Sequence, residues 1–307
     1  DWGACGISCF ATGSTINFFD IVDGKIHRLY SRNFGVRMIT ALKFHGVNRI
    51  MAFGDADGNL LFWDVEKRGI LASILPYAHN TSCLDICWDG SSVIALFSNN
   101  HMVKMCCNPN INTENLRRME IQWDVQLKAK YSRISFDPHL TGFILLSSNM
   151  PQFSVYQVSP DQKTPQPFYE CVELSCPENI QDIQWSLHFP GFIWVLLENE
   201  IVFFHIDSKT LLPMLRQRAS ASSFYRIIQF RSNHKSFITL HRNGLLTVFE
   251  NKKDLSYSVV QEILPKHCSS QVVTLAQNPI SDKELFLVYS EIGPVLYDVD
   301  REKVVNS

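Results

Sequence analysis

The chain has 307 residues, 46% of them apolar and 19% charged, with a formal charge of -2. That composition fills a sizeable core and excludes a disordered chain, while the near-neutral balance excludes a global field that would draw it to nucleic acid or anionic lipid. Nine cysteines, an odd number, lie scattered through segments that read as buried strands, which argues against a secreted disulfide framework and for a reducing intracellular setting. No apolar run approaches the roughly 20 residues needed to cross a bilayer and no signal peptide opens the chain, so no direct membrane insertion is expected. The start at Asp1, without a methionine, reads as a fragment of something longer.

In chain order, the first segment (1–34) enters at Trp2 and closes a strand with Phe19-Asp20. The second (35–79) runs through Phe44 to the clearest template, Gly54-Asp55-Ala56-Asp57-Gly58-Asn59-Leu60-Leu61-Phe62-Trp63-Asp64. It reads as a strand end, a two-residue Asp57-Gly58 hairpin turn with both residues at positive φ, and a strand closed by Trp63-Asp64. The third (80–126) has a strand ending at Trp88, the apolar run Val93–Phe97, turn residues Asn99-Asn100, and Cys106 where an aromatic is expected. A polar loop, 108–115, follows. The fourth (127–174) repeats the order with Phe136, the run Phe143–Leu146, Tyr156 and a polar loop at 159–167. The fifth (175–220) carries Trp185, the run Phe192–Leu197, Asn199 and Phe204. The sixth (221–265) carries Phe230, Asn243-Gly244 and Phe249-Glu250; the seventh (266–307) has Gln277, the run Leu285–Tyr289 and Tyr297-Asp298.

Two columns therefore keep step through seven cycles. Phe19, Trp63, Cys106, Tyr156, Phe204, Phe249 and Tyr297 form one; Trp2, Phe44, Trp88, Phe136, Trp185, Phe230 and Gln277 form the other. A period in the mid-forties with four short strands is one propeller blade. A β-sandwich also spaces its strands closely but predicts no register over seven cycles. The expectation is a single all-β, seven-bladed WD40-type β-propeller with four-stranded antiparallel blades. The closing strand of the last blade would come from Lys303–Asn306 or from residues upstream of Asp1; the upstream source is expected, leaving that blade without its outer strand here. The loops 108–115 and 159–167, both between third and fourth strands, should emerge on one rim.

Beyond the repeat, the order of segments resembles the first propeller of the WD repeat-containing protein 11 family. The resemblance runs from Asp1-Trp2-Gly3 through Ile134-Ser135-Phe136-Asp137-Pro138 and is densest where Glu200-Ile201-Val202 leads into Phe204-His205-Ile206-Asp207. It continues through Phe237-Ile238-Thr239-Leu240-His241-Arg242-Asn243-Gly244 into the last segment. It implies a large cytoplasmic scaffold in which a second propeller and a helical region follow. It also implies a place at the trans-Golgi network and endosomes, vesicle tethering through a partner of the FAM91 kind, and a link to cilia and Hedgehog signalling. The family supplies no catalytic residues.

Chemical motifs are sparse. Gly-x-Ser-x-Gly, a glycine-rich phosphate loop and His-Glu-x-x-His are all absent, so no catalytic residue, cofactor or metal is assigned. His79, Cys83 and Cys87 invite a metal reading, since four-residue spacing on a strand puts both thiols on one face. No second ligand pair accompanies them, and buried structural cysteine is the better reading; Cys5, Cys9, Cys106 and Cys107 read likewise. His79 also stands where many WD repeats place a histidine in a hydrogen-bond network, but the tryptophan of that segment is replaced by Cys106. The second segment has Asp57 and Trp63 but no histidine near Asn33. A basic group, Arg216, Arg218 and Arg226, with Arg231 and Lys235 beyond, brackets the loop between segments five and six. It marks a candidate partner-binding rim for an acidic protein or a phosphoinositide. Leu116-Arg117-Arg118 lacks the glycine of the lipid-binding propeller motif, Met119 standing in its place. The basic residues form no stripe interleaved with exposed aromatics, so no nucleic acid partner is expected. The leading expectation is a non-catalytic protein-interaction scaffold; the alternatives are a phosphoinositide-binding effector and a substrate receptor of a ubiquitin ligase.

Overall fold

The computed structural model describes the chain except residues 4–5, 21–23, 31–37, 48, 78–80, 107–119, 140–141, 149, 160–163, 175–177, 217–222, 254–255, 265–270, 282 and 307, and except the side chains of 30, 106, 214–216, 252–253, 256, 303 and 305–306. Two compact units are present: Asp1–Ser148 with Phe153–Val172, and Asn149–Gln152 with Glu173–Ser307. Every described element is β-strand, and the sheets follow one another in chain order as seven antiparallel meanders, a seven-bladed propeller.

The first unit holds four sheets. They are β1 (Ile7–Thr12), β2 (Thr15–Asp20) and β3 (Ile26–Tyr30); β4 (Ile39–Phe44), β5 (Ile50–Asp55), β6 (Leu60–Asp64) and β7 (Gly69–Ile74); β8 (Cys83–Asp89), β9 (Ser92–Phe97), β10 (His101–Cys106) and β11 (Glu120–Gln126); and β12 (Arg133–Phe136), β13 (Phe143–Ser147), β14 (Gln152–Gln157) and β15 (Gln166–Glu173). The second unit holds β16 (Asp182–Trp185), β17 (Phe192–Leu196), β18 (Glu200–His205) and β19 (Thr210–Arg216); β20 (Phe224–Gln229), β21 (Ser236–His241), β22 (Leu246–Lys253) and β23 (Ser256–Ile263); and β24 (Val272–Gln277), β25 (Glu284–Tyr289), β26 (Gly293–Asp298) and β27 (Lys303–Asn306).

Two edges of this pattern differ from expectation. In the first sheet the leading strand shrinks to one bridge, Trp2 to Ser8, because the chain turns back at once through Gly6 (φ 79), whose N–H donates to Gly3 O at 3.1 Å. In the last sheet an outer strand is present: β27 pairs with β26 at Leu296–Asn306, Tyr297–Val304 and Asp298–Lys303. The expected lack of that strand is corrected. Alternating apolar Val304 is half-buried against the last core, which gives the C-terminal segment a reason to pair.

The two sequence columns are one structural feature. Antiparallel pairing places first-, second- and third-strand residues side by side in a row across each sheet: Trp2–Ser8–Phe19, Phe44–Met51–Trp63, Phe136–Ile144–Tyr156, Trp185–Ile193–Phe204 and Gln277–Leu285–Tyr297. Directly opposed residues share a face, so the columns keep step because one packing surface needs both. Register corrects two members. In the third sheet the row is Trp88–Val93–Met105, so Met105 replaces Cys106. In the sixth it is Gln229–Phe237–Phe249, and Phe230 lies one residue past the strand.

Each row of the second, third, fourth, sixth and seventh sheets turns toward the sheet before it. Met51 and Trp63 pack on Cys9, Ile16 and Phe18 of the first sheet; Val93 and Met105 pack on Ala52, Leu60 and Phe62 of the second. Ile144 and Tyr156 join Cys87, Ile94 and Leu96. In the second unit Phe237 and Phe249, stacked at 4.9 Å, meet Trp194 and Phe203, and Leu285 and Tyr297 meet Ile238 and Leu240. Burying one such aromatic or aliphatic side chain contributes about 1.5–3 kcal/mol, so a sheet lacking its neighbour would expose a full apolar face.

The turn after β5 also differs from the hairpin expected. It spans 55–59 between paired Gly54 and Leu60, and of its five residues Gly58 alone has positive φ (86). Asp55, not Asp57, organises it: its buried Oδ1 accepts the N–H groups of Asp57 (3.0 Å) and Asn59 (2.8 Å), and Oδ2 accepts the Asn59 side-chain amide (2.8 Å). Gly244 in the sixth sheet repeats the backbone pattern, its N–H donating to His241 O at 3.0 Å as that of Gly58 does to Asp55 O at 3.2 Å. A Cβ at Gly58 would stand 2.2 Å from Thr81 O, backbone that approaches from the third sheet. Gly58→Ala therefore loses roughly 2–5 kcal/mol, the left-handed backbone cost plus overpacking. Gly90→Ala, at φ 55 with open space around the added carbon, loses only about 1–2 kcal/mol. Urea denaturation read by tryptophan fluorescence checks the difference; equal losses would refute the close-approach account.

Candidate functional site

Two aspartates inside the sheets hold backbone N–H groups. Asp85 and Asp182 occupy the same register position, opposite Leu96 and Leu196, three residues before Trp88 and Trp185. Each carboxylate reaches the first strand of the next sheet. Asp85 Oδ2 accepts the N–H of Ile134 at 2.9 Å and Oδ1 that of Ile86 at 2.9 Å; Asp182 Oδ2 accepts the N–H of Ile227 at 3.1 Å and the Gln184 amide at 2.9 Å. The residue before each isoleucine is an arginine, Arg133 and Arg226, and Arg226 NH1 donates to Asp182 Oδ1 at 2.9 Å. At the Asp182 junction Gln184 also donates to Ile227 O and Gln229 to Trp185 O; at earlier junctions Thr40 Oγ1 donates to Cys83 O and Asp1 Oδ2 accepts the Phe44 N–H at 2.8 Å. Burial raises the Asp85 carboxyl above the usual aspartate range, its two backbone donors and the Lys43 and Arg133 charges offsetting this only in part.

The residues singled out from sequence fall in several places. Phe19, Trp63, Tyr156, Phe204, Phe249 and Tyr297 are buried members of the rows. Asp64 closes the turn into β7, its Oδ1 accepting the N–H groups of Glu66 and Lys67 at 2.9 Å; Asp298 does likewise for Arg301 at 3.0 Å. Asp20 turns the chain through its backbone, its N–H donating to Lys25 O at 3.0 Å and its carbonyl accepting from the Gly24 N–H at 2.9 Å. Arg226 of the basic group pairs with Asp182, Arg216 ends β19, and Arg218 lies outside the described residues. His79, Cys5, Cys107 and the loop 108–115 also lie outside them, as do 160–163 of the second loop, whose Gln166 and Pro167 belong to β15.

Cys83 and Cys87 do not share a face. A β-bulge between Cys83 and Asp85 inserts Leu84 and reverses the alternation, sending Cys83 to the core with the second sheet and Cys87 to the core with the fourth. Burial pushes both thiols well above the ordinary cysteine range, which keeps them protonated and inert. Among the described residues no group of three or more His, Cys, Asp or Glu could hold a metal ion.

A cavity of about 430 Å³ lies between the first two sheets. Ile7, Phe18, Leu29, Trp63 and Val65 form its apolar lining, an unfilled end of the core these sheets share. Asp20, His27, Arg28 and Arg68 are its polar lining. Sequence reading missed both features. The carboxylate stitch had a visible signal, Asp85-Ile86-Cys87-Trp88 and Asp182-Ile183-Gln184-Trp185, followed one segment later by Arg133-Ile134 and Arg226-Ile227. The cavity had none, since its residues come from five strands or turns.

No protein-family model matches the sequence, and no curated protein matches it. Solved structures match the fold. A chain in the crystal structure of a Mitotic Checkpoint Complex superposes with a TM-score of 0.75 at 11% identity, over 97% of this chain and 88% of that one. The β-propeller domain of Myceliophteria thermophila Cps50 (Swd1) gives 0.65 at 10% identity, over 87% and 85%. Chaetomium thermophilum Raptor gives 0.65 at 11% identity, over 85% of this chain and 24% of that chain. Such identities show the fold alone: a WD40-like propeller, with no narrower family identified. No helix among the described residues is long and apolar enough to cross a membrane.

Asp182→Ala strands the Ile227 N–H and the Arg226 charge, the latter partly solvated, and lowers the unfolding free energy by about 2–4 kcal/mol; Asp182→Asn, which keeps an acceptor, loses less. Asp85 carries a pH signature. Its folded value is raised, so its contribution is fully present below the unfolded aspartate value of about 3.9 and is lost as pH rises through the folded one. The wild type should lose stability relative to Asp85→Asn across that window, in paired denaturation curves at stepped pH; parallel curves would show the carboxyl to be unperturbed.

Proposed function

We propose that this chain is a non-catalytic interaction scaffold whose concrete form is the one its family resemblance implies: a tether at the trans-Golgi network and endosomes, engaging a partner of the FAM91 kind. The observation that carries the scaffold reading is the disposition of buried polar groups. Asp55, Asp85 and Asp182 each hold backbone N–H groups at turns or sheet junctions, an arrangement that stiffens a platform. The vesicle-tethering refinement is supported by the resemblance from Asp1-Trp2-Gly3 to Asn243-Gly244. One protein whose fold superposes over most of this chain is itself part of a checkpoint complex, which fits a role in assembly.

The test is capture from cell lysate on immobilised chain, quantified by mass spectrometry against an unrelated propeller. The expected outcome is at least tenfold enrichment of a Golgi or endosomal tethering subunit. Enrichment of ubiquitin-ligase subunits in its place would move the protein to the receptor class, and no specific enrichment would remove the tether reading.

A further inference from the structure

We propose that the clasp joining the second and third sheets is a proton-sensitive latch: His45, in the turn after β4, and Trp88, near the end of β8, tie the two sheets at one end while the His45 ring is neutral, and protonation of that ring releases the turn. This goes beyond the scaffold reading and does not rest on it.

The clasp runs in both directions. His45 Nε2 lies 3.0 Å from Gly90 O, in the turn after β8, and Trp88 Nε1 donates back to Lys43 O at 3.3 Å. The two rings meet edge to face, with centroids 4.8 Å apart. A carbonyl only accepts, so His45 Nε2 carries the hydrogen. The other ring nitrogen is fixed independently. The Val47 N–H donates to His45 Nδ1 at 3.1 Å, and a backbone N–H only donates, so Nδ1 carries no hydrogen. One donor and one acceptor leave a single form of the ring that fits, the neutral Nε2–H tautomer. A proton added at Nδ1 sets two N–H groups against each other and breaks the bond that shapes the turn.

The surroundings act in the same sense. Burial holds the half-buried His45 ring below the ordinary histidine range and outweighs the Gly90 carbonyl, which favours the charged form. Charged groups on the elements around it are already engaged: Lys43 of β4 with Asp1 (3.8 Å), Arg49 of the same turn with Glu66 (3.0 Å), and Asp89 of β8 with Lys104 of β10 (2.5 Å). Asp85, also on β8, holds the Ile86 and Ile134 N–H groups. A lowered ring value means that the stabilisation is fully present above the unfolded histidine value of about 6.5 and is lost as pH falls through the folded one. The arrangement also recurs in the second unit. His188, in the turn after β16, reaches Phe230 O in the turn after β20, and Gln229 returns to Trp185 O. Gln229 and Trp88 hold the same place in their rows. In the first clasp the turn presents Val47, 84% exposed, so opening it alters a surface as well as a junction.

The test uses the full chain with nitrogen-labelled histidine, followed by NMR from about pH 8 to about pH 5, the His45 ring being assigned through its contact with Trp88. The expected result is the Nε2–H tautomer at neutral pH and a titration midpoint below about 6.5. Exchange of the Trp88 indole N–H should be at least roughly fivefold faster at the acid end, once the intrinsic effect of pH is removed. His45→Gln, which keeps a donor for Gly90 O and cannot titrate, should lose that acid response. An Nδ1–H tautomer, a midpoint at or above the unfolded histidine value, or an acid response of the same size in His45→Gln would each overturn the latch. Tautomer and midpoint are read on the wild type, so they decide the matter even where thermal melts show the variant to be poorly folded.

Discussion

Everything else in the molecule depends on a row of three side chains running across each sheet. Antiparallel pairing sets Phe44, Met51 and Trp63, or Phe136, Ile144 and Tyr156, shoulder to shoulder on one face. In five sheets that face meets the sheet before it. A single sheet of this kind exposes its row to water and is not stable alone; consecutive sheets are stable because each supplies the other's missing wall. This explains why the row tolerates such loose chemistry. Met105 stands where other sheets have an aromatic, and Gln229 enters the sixth row because its amide donates to Trp185 O at 2.8 Å and its carbonyl accepts the Leu187 N–H at 2.9 Å.

Apolar rows are non-directional, and the polar stitches add the direction. A carboxylate on one first strand holding a backbone N–H on the next fixes the height of one sheet against its neighbour, as Asp85 does for Ile134 and Asp182 for Ile227. Both occupy one register position, so the device is repeated rather than incidental. It has an energetic cost at Asp85, where desolvation outweighs the donors, and that cost is consistent with a group kept for geometry. The same logic accounts for Arg226. Its prominence in the sequence suggested a surface role, but its guanidinium neutralises the buried Asp182 from the adjoining sheet.

The cavity is the exception to this economy. Where the first two sheets meet, the row and its neighbours leave about 430 Å³ unfilled, next to two arginines without ion-pair partners among the described residues. Closely packed interiors do not keep such space without consequence.

The sequence by itself determined the fold class and the number of sheets, because a packing face that recurs must recur in the chain, and Phe19, Trp63, Tyr156, Phe204, Phe249 and Tyr297 mark it in six of the seven sheets. It also marked the turn aspartates Asp64 and Asp298, whose partners are two or three residues away. Tertiary structure alone decided what depends on residues distant in the chain or on single-residue insertions. Register chose Met105 over Cys106 and Gln229 over Phe230, since a count of spacings cannot see which residues stand opposite. The bulge at Leu84 sent Cys83 and Cys87 to different cores, because one extra residue inverts a period of two. Asp55 displaced Asp57 because its carboxylate, not the turn dipeptide, satisfies the loop amides. The cavity was invisible for the same reason: its walls come from β1, β2, β3, β6 and the turn after β6, and only packing brings them to a common surface.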